Sequence, residues 1–340
     1  MGRPISAANL RGPCRLYVLS AASTTRVPHR RLGSSDVVVS MLGAGGGSLA
    51  MTGDERQTAQ MLHACWNAGL SYYDTAPLYG ESESRLGRFL MGRARESFVV
   101  STKVGRMPAP SGRRHFDFSR EAIATSVRRS LDRLGIGYID VLLVHDLTPD
   151  MLGGSFDACR RELLGSTFEY LAALRRDGIV RTLGLALYNP ATAVELLAEA
   201  AFDCVMIAGS YSLLNQEALA VLLPYCLDRG IGVLSASPFH TGLLVTGAID
   251  DARFNYQQAG EPVLDKVRRI ESVCSRHSVA LPAAAIQFPL FHPAVASVVV
   301  GHQTPREVKT NLGWLQDPIP AAFWNDLIDE GLLPAGAPVA

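Results

Sequence analysis

Residues 139–145 run Ile-Asp-Val-Leu-Leu-Val-His, a nearly continuous apolar segment that ends on a histidine. Such a run is typical of a strand that is buried on both faces of a parallel sheet. Similar runs recur along the chain, and segments with helical spacing of their apolar residues separate them. The eight predicted strands are Val38–Gly45, Leu70–Ala76, Phe98–Val104, Ile139–His145, Val180–Leu187, Cys204–Ser210, Ile231–Pro238 and Val295–Gly301.

Eight alternating units in a chain of 340 residues predict an α/β fold of the (β/α)8 TIM barrel type, with a doubly wound open sheet as the rival. The helical segments carry end signals as well. Ser119 is placed to cap the helix whose apolar face includes Ile123 and Val127, and Gly135 follows its end. Residues 304–307, Thr-Pro-Arg-Glu, combine a capping box with proline at the first helical position.

Composition restricts the possible functions. With 32 basic and 32 acidic residues, the chain has no electrostatic bias toward nucleic acid or an anionic membrane. No apolar run reaches the roughly 18 residues that suggest a membrane span. We therefore expect neither nucleic acid nor a membrane as a partner. A small-molecule substrate, and a monomer or small homo-oligomer, are the accompanying expectations.

Cysteine usage and the N-terminus give two further expectations. The six cysteines are scattered without a CxxC pair, which disfavours zinc and a disulfide framework and favours a reducing, cytoplasmic location. No metal site is predicted. Residues 1–27 contain arginines and no acidic residue, and we expect a disordered or loosely attached extension. Residues 28–340 are then a single barrel domain with a C-terminal tail.

Three neighbouring predicted strands lead into ionisable side chains. The second is followed by Asp74 and Tyr79, the third ends at Lys103 and the fourth at His145. Each has an ordinary structural explanation, since an aspartate caps turns, a lysine extends to solvent and a histidine hydrogen-bonds within a core. However, the carboxyl ends of barrel strands meet at one rim, where the active sites of such barrels lie. We therefore interpret the four residues as one site.

These side chains suit proton transfer at an oxygen atom. Free tyrosine has a pKa of about 10, and a nearby ammonium group favours the phenolate. We predict that Tyr79 transfers the proton, that Asp74 holds Lys103 charged and in place, and that His145 donates a hydrogen bond to the substrate oxygen. The set lacks a nucleophile with a dedicated base. Proton movement at a carbinol or carbonyl oxygen, coupled to a hydride partner, is the predicted chemistry.

The chain resembles the aldo-keto reductase family over roughly residues 28–316. The resemblance is carried by Asp74-Thr75-Ala76-x-x-Tyr79-Gly80, by Ser101-Thr102-Lys103 and by residues 140–145, in the family's order. It implies a barrel that binds a nicotinamide dinucleotide without a Rossmann domain, with Asp74, Tyr79, Lys103 and His145 as a catalytic tetrad. Residues 211–214 and 232–244 further resemble the branch containing L-galactose dehydrogenase, D-threo-aldose (L-fucose) dehydrogenase and pyridoxal 4-dehydrogenase.

Candidate cofactor contacts follow from the resemblance position by position. Gly45 and Gly46 match the place where the family's backbone approaches the nicotinamide, and Ser210 lies beside the expected ring site. The family's loop over the pyrophosphate is matched by Ser237, Pro238, Phe239, Thr241 and Gly242. The last strand and the helix after it contribute Gly301, His302, Gln303, Glu307 and Asn311. The glycines and Thr241 are open to a second interpretation as plain turn residues.

Departures from the family bear on cofactor choice. Ala186-Leu187 replaces the serine-asparagine pair that grips the carboxamide, and Ala208 and Ala236 replace a glutamine and the stacking aromatic. Members that prefer NADP hold its 2′-phosphate with cations, and the matching positions here are Gly301 and Glu307. A carboxylate repels phosphate but accepts hydrogen bonds from ribose hydroxyls. NAD is therefore favoured, and NADP stays possible. Glu307 also has an interpretation as part of the capping box with Thr304, but the absence of the cations holds under both interpretations.

An NAD-preferring member is expected to run as a dehydrogenase. For an aldose, the oxidised carbon is C1 of the ring hemiacetal and the product is a lactone, and pyridoxal closes into a hemiacetal with the same chemistry. An NADP-dependent carbonyl or aldehyde reductase, a barrel isomerase or aldolase, and a non-catalytic barrel binding subunit are the alternatives. Specificity is expected from Gly105–Asp117, Leu147–Phe156, Leu243–Gly260 and the segment after Trp314.

Overall fold

The computed structural model describes residues 27–51, 53–108 and 114–339, so the predicted extension 1–27 lies outside the described residues except for Val27. Eight parallel strands close into a barrel, as the sequence predicts for a (β/α)8 fold. In chain order the strands are β1 Leu42–Gly45, β2 Tyr72–Asp74, β3 Val99–Val104, β4 Ile139–His145, β5 Val180–Leu187, β6 Cys204–Ala208, β7 Gly232–Ala236 and β8 Val295–Gly301.

Helices surround the barrel. The longer ones are α1 Glu55–Asn67, α2 Ser82–Leu90, α3 Arg120–Leu134, α4 Phe168–Arg176, α5 Pro190–Glu199, α6 Leu222–Arg229, α7 Glu261–His277, α8 Leu281–Gln287, α9 Pro305–Gln316 and α10 Ala321–Asp329. Shorter helical segments cover Pro149–Leu152, Phe156–Glu162, Glu217–Ala220 and Leu243–Thr246. Over the described ranges, none of these helices is long and apolar enough to cross a membrane.

The predicted ends of α3 are confirmed. The Ser119 hydroxyl accepts a hydrogen bond from the Ala122 N–H at 3.3 Å, and Gly135 takes the left-handed conformation with φ 63°. The predicted capping box at the start of α9 is confirmed only in part. Thr304 caps the Glu307 N–H at 3.2 Å, but the Glu307 carboxylate accepts from the N–H of Gln303, one residue before the cap.

The first predicted strand, Val38–Gly45, is wrong in its first half. Only Leu42–Gly45 enters the barrel, whereas Val38–Ser40 pairs antiparallel with His29–Arg31. The Ser40 hydroxyl bridges the break, because it donates to the Leu42 carbonyl at 2.7 Å and accepts from the Tyr72 N–H at 3.2 Å. The resulting hairpin closes the amino-terminal end of the barrel.

Two apolar layers hold the fold together. The barrel interior is filled by side chains from the strands and from the hairpin, including Val39, Tyr72, Val141 and Leu234, all fully buried. A larger core lies between the strands and the helices. At about 25 cal/mol per Å² of buried apolar surface, such layers supply the main stabilisation and leave the opposite rim free to carry polar side chains.

Strand register aligns the rim. Gly45 pairs with Asp74, Asp74 pairs with Ser101, and Lys103 pairs with Leu143. Since side chains alternate along a strand, Ser101 and Lys103 point to the same side of β3, two residues apart. His145 lies two residues beyond Leu143 at the end of β4. The register therefore delivers an acid, an ammonium and an imidazole to neighbouring positions.

Candidate active site

A buried ion pair forms the base of the site. The Lys103 ammonium lies 2.6 and 2.7 Å from the two Asp74 carboxylate oxygens and donates to the Thr75 carbonyl at 2.9 Å. Lys103 is 1% exposed. Burial alone would lower the pKa of Lys103, but the Asp74 carboxylate and the Tyr79 oxygen together raise it. The amine therefore stays protonated, as the sequence predicts.

A chain of hydroxyl groups fixes the carboxylate from below. The Ser101 hydroxyl donates to Asp74 Oδ1 at 2.7 Å, and its oxygen lies 2.9 Å from the Tyr72 hydroxyl. Ser101 and Tyr72 are fully buried. Because partners on both sides satisfy its oxygens, Asp74 is held in one orientation toward Lys103.

Tyr79 reaches this pair through the turn that follows β2. The Tyr79 N–H donates to the Ala76 carbonyl at 3.0 Å, and the tyrosine carbonyl accepts from the Ser82 N–H where α2 begins. The turn places the Tyr79 ring centroid 4.9 Å from the Lys103 ammonium. The ring is perpendicular to that of His145, with 6.1 Å between centroids. All four predicted tetrad residues thus meet at one place.

The electrostatics of the phenol differ from the simple expectation. Burial raises the pKa of Tyr79, the Lys103 charge lowers it and the Asp74 charge raises it again, so that the net shift is upward. The sequence correctly predicts that Lys103 favours the phenolate. It does not predict that desolvation outweighs this effect, since desolvation depends on how much chain covers the ring.

His145 is an uncharged hydrogen-bonding group. Burial, together with the Lys103 and Arg106 charges, holds the pKa of His145 well below its ordinary value. Its Nε2 lies 3.7 Å from Asp146 Oδ2, too far for a hydrogen bond. Its Nδ1 is buried and has no hydrogen-bond partner among the residues that the structure describes. Since Nδ1 is closed off by burial, Nε2 is the ring nitrogen that can hydrogen-bond a substrate oxygen.

A cavity of about 610 Å³ opens above these residues. Tyr79 and His145 lie in its wall, and most of the lining is polar or aromatic. The other lining residues are Leu78, Arg106, Met151, Tyr188, Gly209, Ser237, His240, Thr241, Asn255 and Tyr256. Such a cavity has the size of a small-molecule site.

Three of the loops expected to set specificity supply this lining. Arg106 lies in Gly105–Asp117, Met151 in Leu147–Phe156, and Asn255 in Leu243–Gly260. The C-terminal segment behaves differently, since none of the lining residues follows Trp314. Its helix α10 instead packs against α7, and Trp324 of α10 is fully buried. The expectation for that segment is not met, because its apolar face is covered by the helical layer.

The loop after β7 is a tight turn that contains several left-handed residues. Ser237, His240, Thr241 and Gly242 have positive φ angles of 57°, 45°, 59° and 95°. Within this loop the His240 N–H donates to the Ser237 carbonyl at 3.2 Å, and the Gly242 N–H donates to the Phe239 carbonyl at 3.1 Å. Left-handed non-glycine residues cost about 1–3 kcal/mol each and cluster at ligand sites. Ser237 and Thr241 also line the cavity, where their hydroxyl groups fit the polar oxygens of a nicotinamide dinucleotide.

Other cofactor candidates lie at the ends of β1 and β8 and in the loop after β7. Gly45 and Gly301 are paired across β1 and β8, and Gly45 is also paired with Asp74, which places both beside the tetrad. A Cβ at Gly46 would lie 2.2 Å from the Asp74 carbonyl, so this glycine is needed for packing on β2. Pro238 continues the β7 loop, and the Phe239 ring packs edge-on against Trp314 at 6.0 Å.

The resemblance assigns Ala186, Leu187 and Ser210 to the surroundings of the nicotinamide ring. Ala186 and Leu187 are buried apolar residues and offer no side-chain donor for a carboxamide. The Ser210 hydroxyl donates to the Tyr188 carbonyl at 2.5 Å, which ties β6 to the end of β5.

The candidates after β8 lie away from the cavity. Glu307 and Gln303 are joined by the bond from the Gln303 N–H to Glu307 Oε2 at 2.8 Å, and Asn311 is buried on the next turn of α9. His302 is 1% exposed, and among the described residues neither of its ring nitrogens has a hydrogen-bond partner. The backbone N–H of His302 donates to the Ser48 hydroxyl at 3.1 Å.

Sequence reasoning missed several cavity residues. Arg106, Tyr188, His240 and Asn255 were not among the candidates, although each follows the end of a barrel strand or lies in a rim loop. The available signal was position, because Arg106 stands three residues after Lys103 and Tyr188 directly follows β5. The pairing of Arg106 with Asp146 depends on loop conformation and has no signature in the sequence.

A barrel rim that joins an ammonium, a carboxylate, a phenol and an imidazole below a cavity can move a proton at a substrate oxygen. The sequence profile described as "Aldo/keto reductase family" matches residues 41–329. The chain therefore belongs to the aldo/keto reductase family, whose enzymes use nicotinamide dinucleotide cofactors.

Comparison with individual proteins supports the predicted branch. The chain is 36% identical to D-threo-aldose 1-dehydrogenase of Pseudomonas sp, over 93% of this chain and 97% of the relative. It is 33% identical to pyridoxal 4-dehydrogenase of Microbacterium luteolum, over 89% and 97% respectively. Among solved structures, a holo-form aldo-keto reductase from Bacillus halodurans superposes with a TM-score of 0.75 at 27% identity, covering 92% of this chain and 98% of that one. The branch prediction is confirmed.

Proposed function

We propose that this enzyme is an NAD-dependent dehydrogenase that oxidises an aldose at C1 of its ring hemiacetal and releases a lactone. The observation that carries the proposal is the contact of the buried Lys103–Asp74 pair with Tyr79, in the wall of the cavity that His145 also lines. The aldose is supported by the name of the relative at 36% identity.

In the proposed mechanism, His145 donates a hydrogen bond to the hemiacetal hydroxyl and holds it near the Tyr79 oxygen. Tyr79 accepts the hydroxyl proton, and the Lys103 ammonium stabilises the negative charge of the phenolate. Asp74 keeps Lys103 in position through its two short contacts. When bound, the nicotinamide ring supplies the hydride acceptor that this chemistry requires. Ser237 and Thr241 of the β7 loop would hold the dinucleotide through their hydroxyl groups.

The proposal is tested with the purified enzyme, NAD or NADP, and a panel of aldoses that includes L-fucose and L-galactose. We expect NADH to form with at least one aldose and the sugar product to be a lactone. Pyridoxal is included because the relative at 33% identity is named for it. If the cofactor is reduced with pyridoxal but with no aldose, oxidation of pyridoxal becomes the favoured function. Absence of reduction of either cofactor with any aldose would overturn the proposal.

We propose that the enzyme prefers NAD over NADP. NADP-preferring members of the family hold the 2′-phosphate with cationic residues, and the matching positions here are Gly301 and Glu307. Glu307→Arg is expected to raise the ratio of kcat/KM with NADP to kcat/KM with NAD about tenfold or more, since it removes a repulsive carboxylate and adds a guanidinium fork. Steady-state kinetics with both cofactors measure this ratio.

The control is Glu307→Gln, because the glutamine carbonyl still accepts from the Gln303 N–H while the charge is lost. The Arg variant loses that bond, which costs about 1 kcal/mol at a helix start. If the Arg variant keeps the parent's ratio and the Gln variant matches the parent, Glu307 is only a capping residue.

A further inference from the structure

A short hairpin beyond the β7 loop ends in a turn that its sequence does not favour. Arg253–Phe254 pairs antiparallel with Gln257–Gln258, so Asn255 and Tyr256 are the two turn residues. Their φ angles are 51° and 68°. Positive φ at both positions is the mark of a type I′ turn, in which asparagine followed by glycine is the preferred pair. Tyr256 therefore occupies a left-handed position where glycine would be more stable.

Contacts with the β7 loop hold this turn in place. The Tyr256 N–H donates to the Thr241 hydroxyl oxygen at 3.1 Å, and Asn255 Oδ1 lies 3.4 Å from His240 Nδ1. The His240 ring is buried and stacks on Phe254 with 4.8 Å between centroids. Because these contacts fix the backbone, the strained conformation of Tyr256 is imposed by its surroundings, as is common at ligand sites.

The strained turn presents an aromatic ring to the substrate cavity. Tyr256 lines the cavity together with Tyr79 and His145, yet it is 74% exposed and adds little to the core. Tyr188, directly after β5, lines the same cavity. Partial burial is the main cause that raises the pKa of Tyr188, and charge on Asp146, Tyr256 and Tyr79 raises it further. The Tyr188 hydroxyl thus lies within electrostatic range of both the tetrad and Tyr256.

The chemistry of an aromatic ring selects an uncharged, apolar surface. The face of the ring is negative, so it attracts C–H hydrogens and repels the oxygens of a pyrophosphate. A pyranose in its chair form presents several C–H groups on one face and most of its hydroxyl groups around the rim. The C–H face of an aldose can rest on Tyr256 while the C1 hydroxyl points to Tyr79 and His145.

We infer that Tyr256 is a specificity-determining residue whose ring stacks against the C–H face of the aldose while C1 reacts at Tyr79. This inference rests on the proposed function. It adds that an aromatic surface binds the ring form of the sugar, and that the sugar and not the dinucleotide is the partner of Tyr256.

The test compares Tyr256→Asn and Tyr256→Phe with the parent, on the aldose that the parent oxidises best. Asparagine removes the ring, suits the left-handed backbone and keeps the N–H that Thr241 accepts. In Tyr256→Asn, kcat/KM for the aldose is expected to fall about tenfold, as for the loss of one stacked ring, while kcat stays within about threefold. Tyr256→Phe keeps the ring and should retain most of the binding that the Asn variant loses.

Two further measurements separate substrate stacking from a structural role. The melting temperature of Tyr256→Asn is expected to equal or exceed that of the parent, because the change relieves backbone strain and removes little packing. The Kd for NAD, from calorimetric titration, is expected to stay within about twofold.

Ser278→Asn is the matched control. Ser278 is also an exposed left-handed residue, with φ 55°, but it ends α7 and lies outside the cavity. Its variant is expected to keep the parent's kcat/KM.

Each result is decisive. A Tyr256→Asn enzyme that keeps the parent's kcat/KM, or that loses kcat in place of sugar binding, overturns the inference while the proposed function stands. A weaker affinity for NAD would place the ring at the dinucleotide and also overturns it, as does an equal loss in the Phe variant, which would show that the hydroxyl acts. A parent inactive on every aldose overturns the proposed function itself, and the inference with it.

Discussion

Replacing Tyr79 with phenylalanine is expected to lower kcat/KM by at least about a hundredfold while NAD still binds. The phenol oxygen is the proposed proton acceptor, and the phenylalanine ring keeps the contact with the Lys103 ammonium that the tyrosine ring makes at 4.9 Å. The proposed dinucleotide contacts lie elsewhere, on the β7 loop. Steady-state kinetics and calorimetric titration with NAD measure the two effects separately.

The matched control for this variant is Tyr256→Phe. Tyr256 lines the same cavity but is 74% exposed, and we expect its variant to stay within about threefold of the parent because it removes a hydroxyl outside the tetrad. Near-parent activity of Tyr79→Phe would show that another group moves the proton.

Lys103→Met is expected to reduce the rate of oxidation at neutral pH by about tenfold or more and to move the pH–rate profile upward. In the oxidation direction the phenol must lose its proton, so the rate rises with pH until the pKa of Tyr79 is passed. Burial raises this pKa and the Lys103 charge lowers it. Without the ammonium the pKa rises further, and the same rate requires a higher pH.

The single variant also leaves the Asp74 carboxylate buried without its cation, which costs about 3–5 kcal/mol of stability. The control is therefore the double variant Lys103→Met with Asp74→Asn, in which the unpaired charge is absent. Its thermal stability should recover, while its profile should stay displaced because the Lys103 contribution to the pKa of Tyr79 exceeds that of Asp74. A profile that keeps the parent's midpoint in both proteins would reduce Lys103 to a positional role.

The fold could be predicted where a strand is apolar throughout and is bounded by turn signals. Residues 139–145 and 295–301 form strands with the predicted limits, because burial on both faces leaves only apolar side chains there. The segment 38–45 misled the prediction, since a hairpin strand under the barrel is as apolar as a barrel strand. What separates them is the Ser40 hydroxyl network, which involves a distant part of the chain.

The candidate site also has residues that could be predicted from the sequence and residues that could not. Asp74, Lys103 and His145 could be predicted to converge, because strand ends share a rim whatever the loops do. Arg106 could not, since its return to the cavity depends on the turn at Gly105 and on Asp146 adopting a left-handed conformation. The direction of the net shift in the pKa of Tyr79 was likewise out of reach, because it depends on how deeply the ring is covered.

The proposed reaction transfers a hydride from C1 of an aldose to NAD, and isotopic labelling follows that hydride. The enzyme is incubated with NAD and with its best aldose carrying deuterium at C1, and the reduced cofactor and the sugar product are analysed by mass spectrometry. We expect one deuterium in the NADH formed and a lactone that has lost it. Unlabelled NADH, or a sugar product that retains the deuterium, would contradict oxidation at C1.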